Sequence, residues 1–347
     1  MSPPLEKAAP MDTPAPVRSL LKLYNRAGAP SIVDLGFDAQ PESGTEEDLR
    51  DQTAKDLIGF PGERAPHISF GFEGERWRIR NIVWVLSQST TGHELLDQTY
   101  RAGYRLGFDP MTCTSEYLKS AINTADRVIL LDSRATNEQL VVDLALQLGF
   151  AGASVDGAYF DQSFSPPSAL IAQRLAAAYA HSAQLQICFE LRENPSLPSN
   201  LNKDVYWRIV TKLQHRLAGA FAQAAVNDFA LTQGNAAAVA IREFYAHVRL
   251  RHEYDVEVIN YFRSLPLAVV KDTKAMTSGF DATTQSLKLK LPGAAYAQNH
   301  DPRLNLNDTA TVAVLPEIAQ AVTALQAARR NAGVKDRDSW QVKERQD

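Results

Sequence analysis

Cysteine, net charge and long apolar runs are all scarce in this sequence, and each scarcity excludes a class of protein. Two cysteines, Cys113 and Cys188, are too few for a disulfide scaffold or for a metal site built from cysteines. The 36 basic residues nearly balance the 40 acidic ones, and a formal net charge of −4 argues against a dedicated binder of nucleic acid or anionic membranes. No window approaches the roughly 18 to 20 consecutive apolar residues that a membrane-spanning helix needs.

The first residues also lack the apolar segment of a secretory signal. Prolines at positions 3, 4, 10, 14 and 16 interrupt the region where a signal peptide is continuously apolar. The 347 residues contain 45% hydrophobic and 22% charged side chains, which is typical of a soluble globular protein with one large domain or two smaller ones. The sequence therefore predicts a soluble, cytoplasmic protein.

Composition and periodicity divide the chain into five segments. Residues 1–17 are rich in proline and are predicted to be a disordered lead, and residues 18–75 form an N-terminal extension. The main domain is predicted at 76–265. An irregular segment with a C-terminal helix follows at 266–330, and 331–347 is a charged tail.

The main domain is predicted to begin with two helices. The apolar positions of the first helix are spaced as on one helical face and are Ile79, Ile82, Val83 and Leu86. Thr91 and Glu94 are three residues apart, which is the spacing of a capping box, so a second helix is predicted to start there. Gly103 is expected to end that helix.

Two strands and a long third helix are predicted next. The strands lie at 104–108 and 127–131, and the second is the more apolar. Thr136, three residues before Gln139, is expected to cap a helix that continues to about Ala151. The apolar stripe of this helix consists of Leu140, Val141, Leu144, Leu148 and Ala151.

Beyond a break at Pro166 and Pro167 the pattern is almost entirely helical. Helices are predicted at 168–192, 204–229, 236–249 and 256–262. The predicted fold class is therefore α+β and mostly helical. A small sheet near 104–131 is expected to pack on the long third helix.

This order of elements resembles that of a zincin-like core. Residues 77–263 resemble an uncharacterised bacterial family of predicted zinc metallopeptidases. The matching stretches are Ser89–Pro110, Arg127–Ala151 and Leu217–Tyr254, together with the Tyr254-Asp255 step. In that family the third helix resembles Leu-Ala-His-Glu-Leu-Arg-His-Ala.

The resemblance implies where a zinc site would lie. Two histidines at i and i+4 would ligate Zn²⁺ from one helix face, and the glutamate after the first would act as general base. In this sequence Leu146 and Phe150 occupy the histidine positions, and Gln147 replaces the glutamate. Neither an aliphatic nor a phenyl side chain can ligate a metal, and an amide cannot serve as a carboxylate base.

In the family, a later helix would supply the third ligand. The corresponding helix of this sequence lacks that ligand. The family pattern resembles Arg-x-x-Glu-Ala-Asp-Ala, and here Arg174–Ala180 aligns with it. Ala177 stands at the glutamate position and Tyr179 at the aspartate position. The resemblance therefore implies a degenerate site with no catalytic residue, no bound zinc and no other cofactor.

The leading functional hypothesis is a non-catalytic member of such a family, acting as a binding or regulatory protein with a protein partner. One alternative is an active hydrolase, with zinc held by unassigned ligands or with a different nucleophile. Another is a structural subunit that assembles through the helical half, 168–265. No nucleic-acid or membrane partner is expected.

Other polar residues have simpler interpretations beside the functional ones. His93, Glu94 and Asp97 have a metal-like spacing, but a helix N-terminus explains them as a cap and surface residues. His247 and His252 lie among Arg249, Arg251 and Glu253, and this cluster is expected to be a solvated, salt-bridged helix end. Cys113 is a conceivable nucleophile without a histidine partner. The isolated histidines, expected to be ordinary surface or core residues, are His67, His181, His215 and His300.

Overall fold

The computed structural model describes residues 68–69, 73–108, 120–159, 163–197, 203–226 and 234–263, without 125 and 196, together with isolated positions from 231 onward. The predicted lead, most of the predicted extension, most of the charged tail and Cys113 lie outside the described residues. The irregular segment and the C-terminal helix are represented by isolated positions only.

Four short strands form one mixed sheet. They are β1 (Ile68–Ser69), β2 (Arg105–Phe108), β3 (Ser120–Asn123) and β4 (Val128–Leu131), in the order β1-β2-β4-β3. β2 runs parallel to both β1 and β4, whereas β3 is antiparallel to β4. The two predicted strands are confirmed as β2 and β4. β1 and β3 were not predicted from the sequence.

Two helices precede the second strand, as predicted. α1 spans Glu73–Ser87 and α2 spans Thr90–Arg101. Ile79, Ile82 and Leu86 are fully buried, so the predicted apolar face of α1 is the face that packs into the core. Gly103 follows α2 with φ of 82°, a left-handed conformation that suits glycine, and it ends the helix as expected.

The predicted capping box at Thr91 is wrong by two residues. Ser89 is the N-cap, and its Oγ accepts a hydrogen bond of 2.8 Å from the backbone N–H of Gly92. Thr91 lies inside the first turn, where its N–H and its hydroxyl both donate to the carboxyl group of Glu190. A side chain from 99 residues further along the chain therefore holds this helix terminus.

The long third helix begins where the sequence places it. α3 spans Asn137–Val155, and Thr136 Oγ1 accepts a hydrogen bond of 3.2 Å from the N–H of Gln139. Every residue from Leu140 to Ala153 is buried, including those outside the predicted stripe. α3 is thus enclosed on all sides and lies at the centre of the fold.

The remaining described chain forms five helices. They are α4 (Pro166–Glu193), α5 (Asp204–Leu213), α6 (His215–Ala224), α7 (Asn235–Ala246) and α8 (Val248–Arg263). α4 begins at Pro166 and Pro167, although both are predicted from the sequence to precede the helix. Proline suits the first turn because the backbone N–H groups of that turn have no acceptor within the helix.

Three predicted helix bounds in this half are wrong. The predicted helix 204–229 is divided at Gln214, whose φ of −134° and ψ of 48° are not helical. The predicted helix 236–249 ends instead at Ala246, and α8 runs without interruption from Val248 through the predicted gap before residue 256. The backbone geometry of single residues sets these breaks. The spacing of apolar residues along the sequence does not predict that geometry.

α4 contacts all seven of the other described helices, more than any other described element does. Gly149 allows the closest approach of α3 to α4, since a Cβ there would lie 2.6 Å from Ala180 Cα. The described residues confirm the predicted class, a mostly helical α+β fold with a small sheet. Within them, no helix has both the length and the apolar character needed to cross a bilayer.

Candidate functional site

The four positions where the resemblance would place zinc ligands and base are all buried. Leu146 and Phe150 on α3 are 4% and 8% exposed, and both belong to the main apolar core. Gln147 on α3 and Ala177 on α4 are fully buried. All four residues of the predicted degenerate site therefore lie in the packed interior of the protein.

Gln147 forms a hydrogen bond with another buried side chain of the fold. Its Nε2 donates a hydrogen bond of 2.9 Å to Oγ of Ser120 on β3. Its Oε1 has no hydrogen-bond partner within the described part of the chain. The side chain therefore connects α3 to the edge strand of the sheet, and its amide can neither take nor release a proton near neutral pH.

Phe150 turns toward α8. Its ring centroid lies 6.0 Å from that of Tyr254, with the rings tilted by 46°. The ring thus fills the space between α3 and α8 with apolar surface, at the helix position where a ligating histidine would stand in the family.

A buried ion pair joins α4 to α8 close to this point. Arg174 Nε donates to Oδ1 of Asp255 and Arg174 Nη2 donates to Oδ2, each at 2.6 Å. The two side chains are 0% and 3% exposed. This paired geometry fixes the relative position of the two helices, because both hydrogen bonds must form together.

Two turns further along α4, His181 contacts Tyr254 of α8. His181 Nε2 lies 2.7 Å from the Tyr254 hydroxyl oxygen, and the His181 ring stacks on Phe244 of α7. Burial lowers the pKa of His181 to about 4, although hydrogen bonding with Gln214 and Gln184 opposes the shift. His181 is therefore a neutral imidazole at physiological pH.

Glu257 completes the contacts between the two helices. Gln173 Nε2 of α4 donates a hydrogen bond of 3.0 Å to its Oε2. Burial raises the pKa of Glu257 to about 8; the Gln173 hydrogen bond opposes the rise and the nearby Glu253 adds to it. Together these contacts form what we call the α4–α8 polar cluster: Gln173, Arg174, His181, Tyr254, Asp255 and Glu257.

The cluster is polar but offers no metal centre. In the part of the chain that the structure describes, no three His, Cys, Asp or Glu residues lie close enough together to hold an ion. The carboxylate of Asp255 is bonded to Arg174, and the ring of His181 faces a phenol. These contacts can fix helices and respond to protons, and they leave no group of ligands for a Lewis acid.

Sequence reasoning treated His181 as an ordinary histidine and missed the cluster. A core position for it is confirmed, since it is 4% exposed. A usable signal was present: Arg174 and the Tyr254-Asp255 step both belong to the resemblance, and the two are joined in the fold. Pairing them would have placed α8 against α4.

The candidate metal-binding residues on α2 are not members of the α4–α8 polar cluster. His93 is partly buried in α2 and Glu94 is exposed. Asp97 forms an ion pair of 3.0 Å with Arg101, one turn away on the same helix. Because Thr91 is not the N-cap, the interpretation of Glu94 as part of a capping box is wrong.

The predicted solvated end around His247 and His252 is only partly correct. His252 is exposed, and Nδ1 of His247 accepts a hydrogen bond of 3.1 Å from the N–H of Leu250 at the start of α8. Arg251 is instead buried, at 1% exposure, and its Nη1 donates to the backbone oxygen of Tyr245. That arginine belongs to the α7–α8 contact and not to the solvated face.

Comparison with models of protein families, with curated proteins and with solved structures finds no match to this chain.

Proposed function

We propose that this protein is a zincin-like metallopeptidase scaffold that has lost its catalytic site and acts as a binding or regulatory protein. The observation that carries the proposal is the state of the four motif positions. Leu146, Phe150 and Ala177 are apolar and buried, and Gln147 donates to Ser120. Each of them has become part of the packing.

Chemistry supports the absence of peptidase activity. A catalytic zinc needs three protein ligands and an open position for water. Leucine, phenylalanine and alanine have no lone pair to give, and glutamine cannot take a proton from a metal-bound water. The contribution of a general base, roughly 10²- to 10⁴-fold in rate, would be missing even if an ion were recruited.

Retention of the surrounding framework supports the scaffold half of the proposal. Arg174 and Asp255 lie in two separate stretches that carry the resemblance, and they form a buried, doubly hydrogen-bonded pair. Separating the two side chains would leave uncompensated charges in the interior. The pair therefore favours this arrangement of α4 and α8.

Zinc analysis and a cleavage assay on the purified full chain test the proposal. After dialysis against a weak chelator, we expect zinc far below one equivalent per chain. We also expect no chelator-sensitive cleavage of an unfolded protein substrate. About one zinc per chain together with such cleavage would overturn the proposal and support the active-hydrolase alternative.

The binding role is tested separately from the loss of catalysis. The full chain is used as bait in native extract, and each captured protein is purified and titrated against the isolated chain. We expect a defined complex with a different protein. A chain that only self-associates in light scattering, with no purified partner rebinding, would instead support the assembly-subunit alternative.

A further inference from the structure

The interface between α4 and α8 holds two ionisable groups, and burial favours the neutral form of each. His181 on α4 is 4% exposed and contacts the Tyr254 hydroxyl. Glu257 on α8 is partly buried, and its Oε2 receives the amide hydrogen of Gln173. One of these groups gains a charge in acid and the other gains a charge in alkali.

We propose that His181 and Glu257 make the docking of α8 on α4 sensitive to pH, so that α8 loosens as the solution changes from mildly acidic to mildly alkaline. This inference concerns the conformation of the fold and does not depend on the proposed function.

The surroundings of Glu257 favour its neutral form. From α4, Gln173 donates a hydrogen bond that favours the ionised form but brings no positive charge, and Arg174 is bonded to Asp255. On α8 itself, Glu253 lies one turn away with a charge of the same sign. Desolvation is the largest effect on the pKa of Glu257, and the like charge reinforces it.

The contact that the structure describes between α7 and His181 comes from an uncharged ring. Phe244 of α7 packs against both His181 and Tyr254. The buried Arg251 of α8 donates to the Tyr245 carbonyl of α7. On the α4 side, Gln184 and Gln214 are the neutral side chains that act on the pKa of His181.

Proton linkage fixes the direction of the effect. Burial in the folded protein raises the pKa of Glu257 from 4.5 to about 8, so its contribution to docking is complete below pH 4.5 and is lost as pH rises to about 8. The pKa of His181 falls from 6.5 to about 4, so its stabilisation is present above 6.5 and is lost as pH falls toward 4.

The two effects oppose each other over part of the range and leave Glu257 acting alone over the rest. Between about pH 4.5 and 6.5 the proton released by one group on docking is taken up by the other, so docking is nearly independent of pH. Above 6.5 only Glu257 responds, and docking weakens about tenfold per pH unit, or roughly 30-fold by pH 8. Above about pH 8 the strength of docking is again independent of pH.

Hydrogen exchange on the full chain tests this profile. Exchange of amides in 248–261 is followed from pH 5 to 9 and corrected for the intrinsic exchange rate, with amides of 140–153 in α3 as an internal reference. We expect a constant open fraction of α8 up to pH 6.5, a rise of about 30-fold by pH 8, and no comparable rise in α3. A corrected open fraction of α8 that does not rise between pH 6.5 and 8 would overturn the proposal.

Two variants assign the effect to a residue. Glu257→Gln should abolish the rise above pH 6.5 and expose the opposing effect of His181, so that α8 opens more at pH 5 than at pH 6.5. Glu193→Gln, at the exposed end of α4, is the matched control and should keep the wild-type profile. A rise that survives Glu257→Gln would show that another group is responsible.

A direct titration of the wild-type chain covers the case in which Glu257→Gln does not fold. The ring carbon signals of His181 are followed by nuclear magnetic resonance between pH 4 and 8, and the Glu257 carboxyl carbon up to pH 9. We expect a neutral ring down to about pH 5 and a carboxyl group that titrates near 8. A ring that titrates near 6.5 and a carboxyl group that titrates near 4.5 would overturn the proposal.

Discussion

Phe150 is a single residue whose packing can be tested by substitution. Its side chain is 8% exposed and contacts Tyr254. We expect Phe150→Ala to lower the free energy of unfolding by about 3 to 5 kcal/mol, because it removes a buried aromatic ring and leaves a cavity. Urea unfolding of the wild type and the variant measures the difference.

The control for this prediction is an apolar residue on the surface. Val226 is 76% exposed, and Val226→Ala should change the free energy of unfolding by less than about 0.5 kcal/mol. A loss below about 1 kcal/mol for Phe150→Ala would mean that the ring is not part of the core, and would favour a surface contact for it instead.

The Arg174–Asp255 pair supports a second prediction at the residue scale. Removal of one partner leaves a buried charge, so Arg174→Met should destabilise the protein by about 3 to 5 kcal/mol. The double variant Arg174→Met, Asp255→Leu should recover much of that loss, because both buried charges are gone. Chemical denaturation of the two single variants and the double variant gives the coupling energy.

An exposed ion pair on α2 provides the comparison. Arg101 and Asp97 lie 3.0 Å apart, but the arginine side chain is 76% exposed. Arg101→Met should cost only a few tenths of a kcal/mol, since solvent screens such pairs. Equal losses at Arg101 and Arg174 would contradict the buried character of the α4–α8 contact.

At the scale of elements, the contact between α3 and α4 depends on a glycine. A Cβ at Gly149 would lie 2.6 Å from Ala180 Cα and 3.0 Å from its carbonyl oxygen, so the helices would have to separate. We expect Gly149→Ala to destabilise the protein by about 1 to 3 kcal/mol, even though alanine favours helix. Thermal and urea unfolding both report this change.

Gly219 on α6 is the matched control for that substitution. Apart from the neighbouring backbone of its own helix, no atom of the described residues lies within 4 Å of the Cβ that alanine would add there. Gly219→Ala should therefore stabilise the protein by about 0.4 to 1 kcal/mol, through the lower entropy of the unfolded chain. If Gly149→Ala were stabilising to the same extent, the close approach of the two helices would be wrong.

At the scale of the whole molecule, Cys188 reports on global unfolding. The thiol is fully buried on α4, and burial raises its pKa, with the charge of Asp143 adding to the rise. In a Cys113→Ser background, we expect a thiol reagent to label Cys188 only as fast as the whole domain unfolds. Labelling rates measured against urea concentration test this expectation.

The control is the same reaction on a Cys188→Ser variant, in which Cys113 is the sole thiol. Labelling of Cys188 in the native chain at the rate of a free thiol would show that α4 opens without global unfolding. That outcome would contradict the central position of α4, which contacts the seven other described helices.

The sequence by itself determined the elements whose signals are local. The apolar spacing of α1, the Thr136 cap of α3 and the end of α2 at Gly103 all match the structure. It also determined the fold class and the apolar nature of Leu146, Phe150 and Ala177. These features depend on residues within one or two turns of each other, so periodicity and capping chemistry are sufficient to find them.

Tertiary structure decided the features that depend on distant partners. β3 forms because four of its residues pair with β4, although Ser120 and Asn123 give it little strand character. Thr91 lies inside α2 because Glu190 bonds to it, while Ser89 takes the cap.

The α4–α8 polar cluster is the clearest case of such a decision. Arg174 and Asp255 are 81 residues apart in the chain, and His181 and Tyr254 are 73 apart. Local sequence assigns polar or charged residues of this kind to a solvated face, as it did for Arg251. Only the packing of α8 on α4 and α7 removes them from water, and burial then makes pairing and neutrality necessary.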